Sequence, residues 1–223
     1  MSSSRPEAVI KVYPKTYYEA QKFKTLQFLL KTNALVLKLQ ESVSGNVFNT
    51  PYPFITFKRI SSSDKLPKNL KFDGDPLSDY FVTLKTLKND ADKSGSGKKS
   101  GFIILAYKVI DDDRTYFYDQ TWETWSGAAT LSAKLSHVYE IRKIVCFKGV
   151  NVVPDVFKYI VMIEFFMDIE NGQNDNYARD CMQRFRINRM SGYAALYTDC
   201  TNRELQKMKD EEAQKMEEFI EIE

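Results

Sequence analysis

The chain has 223 residues, 43% of them hydrophobic, so it can bury a substantial core and is not a disordered chain. Its length fits a single domain over residues 1–223. A net charge of +2 and a pI near 8.2 are below what a dedicated nucleic-acid-binding domain usually shows.

The cysteines and the N-terminus indicate the compartment. Cys146, Cys181 and Cys200 are widely spaced and form no CxxC pair, which argues against a disulfide framework or a zinc site. The N-terminus has no signal-peptide apolar stretch, and the longest apolar run, 102–107, is too short to cross a membrane. We therefore expect a reducing, intracellular location, the cytoplasm, and no membrane partner.

The front of the chain is basic. Residues 1–70 hold eleven Lys and Arg against four Asp and Glu, whereas the remainder holds twenty-one against twenty-six. Within the N-terminal segment 1–31, residues 15–31 place apolar side chains at helical spacing and predict a helix. Basic and aromatic residues alternate there in a way that suits single-stranded nucleic acid. The candidate contacts are Lys11, Tyr13, Lys15, Tyr17, Lys22 and Lys24.

Most of the remaining chain reads as strands separated by turns. Short apolar or alternating runs predict about eight or nine strands, at residues 34–40, 53–59, 79–88, 101–110, 115–119, 138–148, 156–170, 183–189 and 193–198. This number and spacing of strands is typical of sandwiches and barrels. We expect a mainly β fold, a β-sandwich of jelly-roll type, with the N-terminal helix and a charged C-terminal helix added.

Two of these strands carry the clearest patterns. Within residues 156–170 every odd position is apolar and several even positions are charged, which predicts one buried face and, because of the length, a bend or bulge. Residues 138–148 place Tyr139, Ile141, Val145 and Phe147 on one face. Lys143 is the exception on that face.

No motif in the chain fixes a reaction. The segment GSGKKSG at 95–101 lacks the first glycine and the final Ser or Thr of a phosphate-binding loop. His137 is the only histidine, which excludes a multi-histidine zinc site, and acidic runs such as Asp111–Asp113 lack the spacing of a calcium loop. We expect no catalytic residue, no metal and no cofactor.

Two further clusters suggest surfaces. Trp122 and Trp125 lie three residues apart among other aromatic residues and suit a core end or an oligomer interface. Residues 183–189 read as a strand that exposes Arg184 and Arg186 on one face. Cross-strand pairing with acidic residues such as Glu164 is the first interpretation of these arginines, and nucleic-acid contact is the second.

The C-terminal extension, residues 201–223, begins with a capping-box pattern at Thr201 and Glu204 and is rich in helix formers. Its apolar stripe is narrow, so the helix would bury little against its own core. We expect it to dock on another subunit through Leu205, Met208, Met216 and Phe219.

Together these features favour a non-enzymatic structural protein that self-assembles as a homo-oligomer, in the manner of a coat or capsid subunit. One alternative is a domain that binds single-stranded nucleic acid through the basic N-terminal segment. A second alternative is a β-sandwich hydrolase that uses carboxylates brought together by the sheets.

Overall fold

The architecture is known from a computed structural model. The structure describes residues 8–13, 35–39, 54–59, 78–89, 99–108, 115–150, 157–167, 174–188 and 192–199. Within these ranges no helix is both long enough and apolar enough to cross a membrane.

Eight strands and three helices make up the described part of the chain. The strands are β1 (Ala8–Tyr13), β2 (Leu35–Leu39), β3 (Phe54–Arg59), β4 (Ser78–Asn89), β5 (Lys99–Tyr107), β6 (Ile141–Gly149), β7 (Tyr159–Met167) and β8 (Tyr193–Asp199). The helices are α1 (Thr115–Trp125), α2 (Ala128–Leu135) and α3 (Asn174–Asn188). The fold is mainly β, as the sequence predicts.

The eight strands form one closed antiparallel barrel in the order β1-β3-β2-β8-β5-β7-β6-β4, with β4 paired back to β1. Each described strand therefore has two neighbours. The sandwich or jelly-roll arrangement expected from the sequence, with two separate sheets, is not observed. The expected strand count is met, and β1 was not among the predicted strands.

The barrel consists of two units with the same strand order. The first unit (β1 to β4) has the order β4-β1-β3-β2, and the second unit (β5 to β8) has the equivalent order β8-β5-β7-β6. In the second unit, helices follow β5 and β7, which gives the split βαββαβ arrangement called ferredoxin-like. Neighbouring strands of the eight-stranded ring run in opposite directions, and β1 and β5 are four strands apart, so they run in the same direction on opposite sides of the barrel. A half-turn about the barrel axis therefore places each strand of one unit on its equivalent in the other. No repeat is visible in the sequence.

Two apolar clusters lie on opposite faces of the strands. The first contains residues from all eight strands, including Ala8, Leu37, Phe81 and Ala195, and therefore fills the barrel interior. The second joins strands β5 to β8 with the three helices, so those helices cover the outside of the second unit. Both faces of β7 are buried as a result, whereas the sequence predicted one.

The helices are attached by polar contacts as well as by apolar packing. The carboxylate of Asp119 in α1 accepts hydrogen bonds from the Lys148 ammonium (2.6 Å) and the Tyr159 hydroxyl (2.7 Å). Between α1 and α2, Gly127 has a left-handed backbone with φ of 76°, which glycine adopts without steric cost. The Tyr107 hydroxyl donates to the Ser126 carbonyl oxygen (2.6 Å) and fixes this junction to β5.

Two segments predicted as strands are helices. Residues 115–119 begin α1, and residues 183–188 belong to α3. On α3 the apolar residues Ala178, Cys181, Met182 and Phe185 pack on the outer cluster at helical spacing, while Ile187 is 65% exposed. The predicted helices at 15–31 and 201–223 lie outside the described residues.

Candidate functional site

One end of the barrel, which we call the barrel mouth, contains a cavity of about 260 Å³. An eight-stranded barrel is just wide enough to be filled by its own side chains or to hold one small ligand. The lining comes from four neighbouring strands, β3, β1, β4 and β6. Its residues are Ala8, Phe57, Arg59, Thr83, Thr86, Lys143, Val145 and Phe147.

Strand alternation explains most of this lining. Phe57, Val145 and Phe147 also belong to, or pack against, the interior cluster, and the Phe57 and Phe147 rings lie 5.3 Å apart between centroids. Arg59 is two residues beyond Phe57 on β3 and so faces the same way at the end of the strand. Ala8 pairs with Arg59, and its small side chain leaves the space open.

A bulge in β6 separates Lys143 from the residues that precede it in the strand. The register of β6 against β7 shifts between Ile141 and Lys143, so these two residues no longer share a face. Ile141 packs in the outer cluster, whereas Lys143 lines the cavity. Lys143 lies on the same face as Val145 and Phe147, as regular alternation requires, and the bulge places Ile141 on the opposite face of β6.

Strand β4 uses the same device. Thr83 and Thr86 are three residues apart, and a regular strand would place them on opposite faces. A register shift against β6 between Thr83 and Lys85 brings both hydroxyl-bearing residues to the cavity. The lining thus combines an apolar, partly aromatic wall with two hydroxyls and two cations.

The cavity is electrostatically positive at Arg59 and Lys143. The pKa of Lys143 is lowered from its ordinary value, first by burial and second by the positive charge of Arg59, while the negative charge of Glu164 opposes the shift. A lysine with a lowered pKa inside a cavity is a functional-site candidate, because burial and a like charge disfavour its protonated form.

The carboxylate of Glu164 is bound by partners other than Lys143. Glu164 pairs with Lys143 across β6 and β7, but its carboxylate accepts a hydrogen bond from the Arg142 guanidinium at 3.0 Å and from the Ser100 hydroxyl at 3.4 Å. The Arg142 guanidinium also lies 4.4 Å from the centroid of the Phe166 ring. The charges of Arg142 and Glu164 therefore offset each other. Arg59 and Lys143 are left as the charged residues of the cavity lining.

Other reactive groups in the described residues are less suited to chemistry. Cys146 and Cys181 are free, buried thiols. Burial, and then the charge of Asp119, raise the pKa of Cys146, which keeps this thiol protonated and unreactive. No cluster of three or more His, Cys, Asp or Glu that could hold a metal occurs within the described ranges.

The predicted nucleic-acid residues fall partly outside the described residues. Lys11 and Tyr13 lie in β1, and Lys15, Tyr17, Lys22 and Lys24 lie outside the described residues. Arg184 and Arg186 are on a helix and not on the predicted strand. Arg184 forms an exposed ion pair with Asp180 (2.9 Å), whereas Arg186 turns back and donates to the Ala194 carbonyl oxygen (2.6 Å). The predicted partner of these arginines, Glu164, binds Arg142 instead.

Of the predicted interface residues, Trp122 and Trp125 lie within the described ranges. Trp122 is 1% exposed in the outer cluster of its own chain, so it offers no surface to another subunit. Trp125 is half-buried against Tyr107, Tyr118 and Tyr159 and donates its indole hydrogen to the Tyr118 carbonyl oxygen. The remaining interface candidates, Leu205, Met208, Met216 and Phe219, lie outside the described residues.

Sequence reasoning missed the cavity because its residues come from four strands that are distant in sequence. The signal that could have found it is Lys143, the one charged residue on an otherwise apolar face. Arg59, Thr83 and Thr86 carry no comparable signal, since end-of-strand arginines and strand threonines are common on solvated faces.

Comparison with known proteins provides a family. The family model described as "Domain of unknown function (DUF7153)" matches residues 48–199. Among solved structures, the chain is similar to one described as "Crystal structure study of anthrone oxidase-like protein", with 11% identity, a TM-score of 0.46, and coverage of 89% of this chain and 93% of that chain. No curated protein matches. Because the family model covers well over half of the sequence, the chain belongs to the family described as "Domain of unknown function (DUF7153)".

Proposed function

We propose that this protein binds a small organic acid in the barrel mouth. The observation that carries the proposal is the cavity itself, which sets two cationic side chains, Arg59 and Lys143, against an aromatic wall. Ligand pockets occur preferentially in such places, mostly apolar with a few convergent polar groups, and the mouths of β-barrels are among their usual locations.

The lining defines the chemical class of the ligand. Arg59 is exposed at the rim and can bind a carboxylate through paired hydrogen bonds, a geometry for which the guanidinium is suited. Phe57 and Phe147 provide flat apolar surface for a ring or a short hydrocarbon chain. The volume of about 260 Å³ is at the lower end of the range for ligand pockets, so the ligand is small.

The proposal is tested with 3-phenylpropionate, which joins one carboxylate to one aromatic ring, and with its uncharged amide. Calorimetric titration of the full chain should show binding of the acid and markedly weaker binding of the amide. Arg59→Gln should weaken binding of the acid by about ten- to a hundredfold, because a hydrogen bond between charged groups contributes roughly 1.5–3 kcal/mol. Lys108→Gln, an exposed lysine one residue beyond the far end of β5, is the matched control.

Two results would count against the proposal. One is that the acid and the amide bind equally, and the other is that Arg59→Gln and Lys108→Gln bind the acid with the same affinity as the unmodified chain. Either result would mean that the cations of the cavity do not recognise a negative charge.

Self-assembly, the function expected from the sequence, remains a prediction. The closed barrel bears on its mechanism, since each of the eight described strands already has two neighbours and none offers a free edge for pairing with another copy. Assembly would therefore have to use other surfaces, such as the outer faces of the strands, the helices, or the segment 201–223.

A further inference from the structure

The lysine of the cavity has the two features that activate an amine as a nucleophile. Lysine amines gain reactivity when they are desolvated among apolar groups or when another cation lies beside them, because both effects favour the neutral form. Lys143 lines the cavity on β6, two residues from Val145, and the charge of Arg59 acts on it directly.

The neighbouring residues determine what such an amine could reach. Arg59 on β3 and Lys143 on β6 line the same cavity of about 260 Å³ from different strands. If Arg59 holds the carboxylate of a small acid, the part of the ligand next to that carboxylate faces the remaining polar lining, which is Lys143 and the hydroxyls of Thr83 and Thr86. A carbonyl group directly beside the carboxylate would meet the amine there.

We propose that Lys143 forms a Schiff base with the carbonyl carbon of a small 2-oxo acid whose carboxylate is bound by Arg59. The inference rests on the proposed function, since it requires that the cavity hold an organic acid. It goes further in assigning a covalent role to one residue and a substrate class to the site.

The reaction needs no oxidant or reductant. The lone pair of the neutral Lys143 amine forms a bond to the carbonyl carbon, and the electron pair of the carbon–oxygen π bond moves to oxygen. A proton moves from nitrogen to oxygen to give the carbinolamine, which takes up a second proton and loses water. The product is a protonated imine. The carbonyl oxygen leaves as water, and the lysine nitrogen keeps one hydrogen.

Three charged groups surround this step. Burial and Arg59 lower the pKa of Lys143, which raises the fraction of neutral amine near neutral pH, and Glu164 acts in the opposite direction. Because the Glu164 carboxylate is bound by Arg142, part of its effect on Lys143 is offset. The protonated imine keeps the positive charge of the lysine, so the pairing across β6 and β7 with Glu164 suits the product as well.

The test uses phenylpyruvate as the probe, with cyanoborohydride to reduce and trap any imine on the full-length protein. Peptide mass spectrometry should locate the reduced adduct at Lys143 in at least about tenfold excess over the exposed Lys108, as expected for an activated amine. An excess of 3-phenylpropionate, which has no carbonyl beside its carboxylate, should protect Lys143 in the unmodified chain. This protection experiment needs no variant and so does not depend on how a substitution folds.

Variants make the assignment specific. Lys143→Arg keeps the positive charge but cannot form the imine, so it should give no adduct in the cavity. Arg59→Gln should lower the rate of labelling at Lys143 and leave that at Lys108 unchanged.

The outcomes separate the two proposals. If 3-phenylpropionate binds in an Arg59-dependent way but phenylpyruvate labels Lys143 no more than Lys108, the Schiff-base role is wrong and the binding function stands. If neither acid binds and labelling is equal at the two lysines, both proposals fail. Labelling of Lys143 that 3-phenylpropionate does not prevent would also overturn the inference, because the amine would then react outside an acid-binding cavity.

Discussion

The two walls of the barrel mouth occupy equivalent places in the fold but have different side chains. The first wall consists of Ala8, Arg59 and Phe81. The second wall consists of Phe102, Glu164 and Tyr197. In the first unit, Ala8 of β1 pairs with Arg59 on one side and Phe81 on the other. In the second unit, Phe102 of β5 pairs in the same way with Glu164 and Tyr197. The cavity lies against Ala8, whereas the large side chain of Phe102 fills the corresponding place.

The charged residues of the two walls also have different surroundings. Glu164 on the second wall is held by Arg142 and Ser100, so its charge is used within the protein. Arg59 on the first wall faces the cavity together with Lys143. The comparison shows that packed side chains and an internal ion pair occupy the second wall, whereas the cavity lies beside the first wall and is completed by Lys143, Val145 and Phe147 of β6.

The largest expected effect comes from emptying the second wall. Phe102 is buried, and Phe102→Ala should lower the free energy of unfolding by about 3–5 kcal/mol, because it removes apolar contacts and leaves a cavity. Urea denaturation measures this change, and binding of 3-phenylpropionate to the folded variant should persist. Phe117→Ala is the control, since Phe117 is more than half exposed and should cost about 0.5 kcal/mol or less. Equal costs at the two positions would show that the second wall is not packed as described.

The next effect concerns the ion pair of the second wall. The side chains of Arg142 and Glu164 are 16% and 17% exposed, so Glu164→Gln should cost about 1–3 kcal/mol by leaving the guanidinium without its charged partner. The control is Asp180→Asn, which breaks the exposed pair with Arg184 and should cost little, because solvent screens exposed ion pairs. Denaturation curves for the two variants compare the pairs directly. A cost at Glu164 no larger than that at Asp180 would contradict a structural role for the second wall.

Filling the first wall should affect binding more than stability. Ala8→Leu adds three carbon atoms where the cavity has room, so the affinity for 3-phenylpropionate should fall at least about tenfold, or 1.4 kcal/mol. The free energy of unfolding should change by less than about 1 kcal/mol, since the added atoms occupy empty space. Ala129→Leu, at an exposed position on α2, should leave both quantities unchanged. Retained affinity in the Ala8 variant would place the ligand elsewhere.

Much of the sheet could be predicted from the sequence, because each strand is marked by a pattern within its own residues. Strands β2 to β8 each show apolar runs or alternation that survive in the structure, as in residues 159–167. Closure of the barrel could not be predicted, because a sandwich and a barrel need the same alternation. The choice between them depends on which strands pair, and in this chain every described unit boundary, β2 with β8 and β4 with β6, joins segments far apart in sequence.

The wrong assignment of α3 has a specific cause. Residues 174–188 contain a helical apolar set at Ala178, Cys181, Met182 and Phe185, but a helix leaves Ile187 on the polar side. An apolar residue left among polar ones favours a strand over a helix in the sequence pattern, yet Ile187 is 65% exposed on the helix. A single exposed apolar residue is common on protein surfaces and is weak evidence against a helix. With α1 and α3 assigned as helices, the βαββαβ order of the second unit would have followed.

The smallest expected effect tests the lysine that completes the cavity. In the folded chain the pKa of Lys143 lies below its ordinary value of 10.5, first because of burial and second because of Arg59, with Glu164 opposing. Between the folded-state pKa and 10.5, the unfolded chain binds more protons than the folded chain, so the free energy of unfolding attributable to this group rises with pH. Below the folded-state pKa the amine is protonated in both the folded and the unfolded chain. The cost of holding this charge in the cavity then lowers the free energy of unfolding by its full amount.

Lys143→Met removes this group, so the variant should be more stable than the unmodified chain near neutral pH, and the advantage should shrink as the pH approaches 10.5. Urea denaturation at a series of pH values measures the difference. Lys108→Met, at an exposed position outside the cavity, is the control and is measured over the same pH series. If the Lys143 variant behaves as the Lys108 variant does, the surroundings of Lys143 do not disfavour its charged form, and the cavity lacks the feature that sets it apart from the second wall.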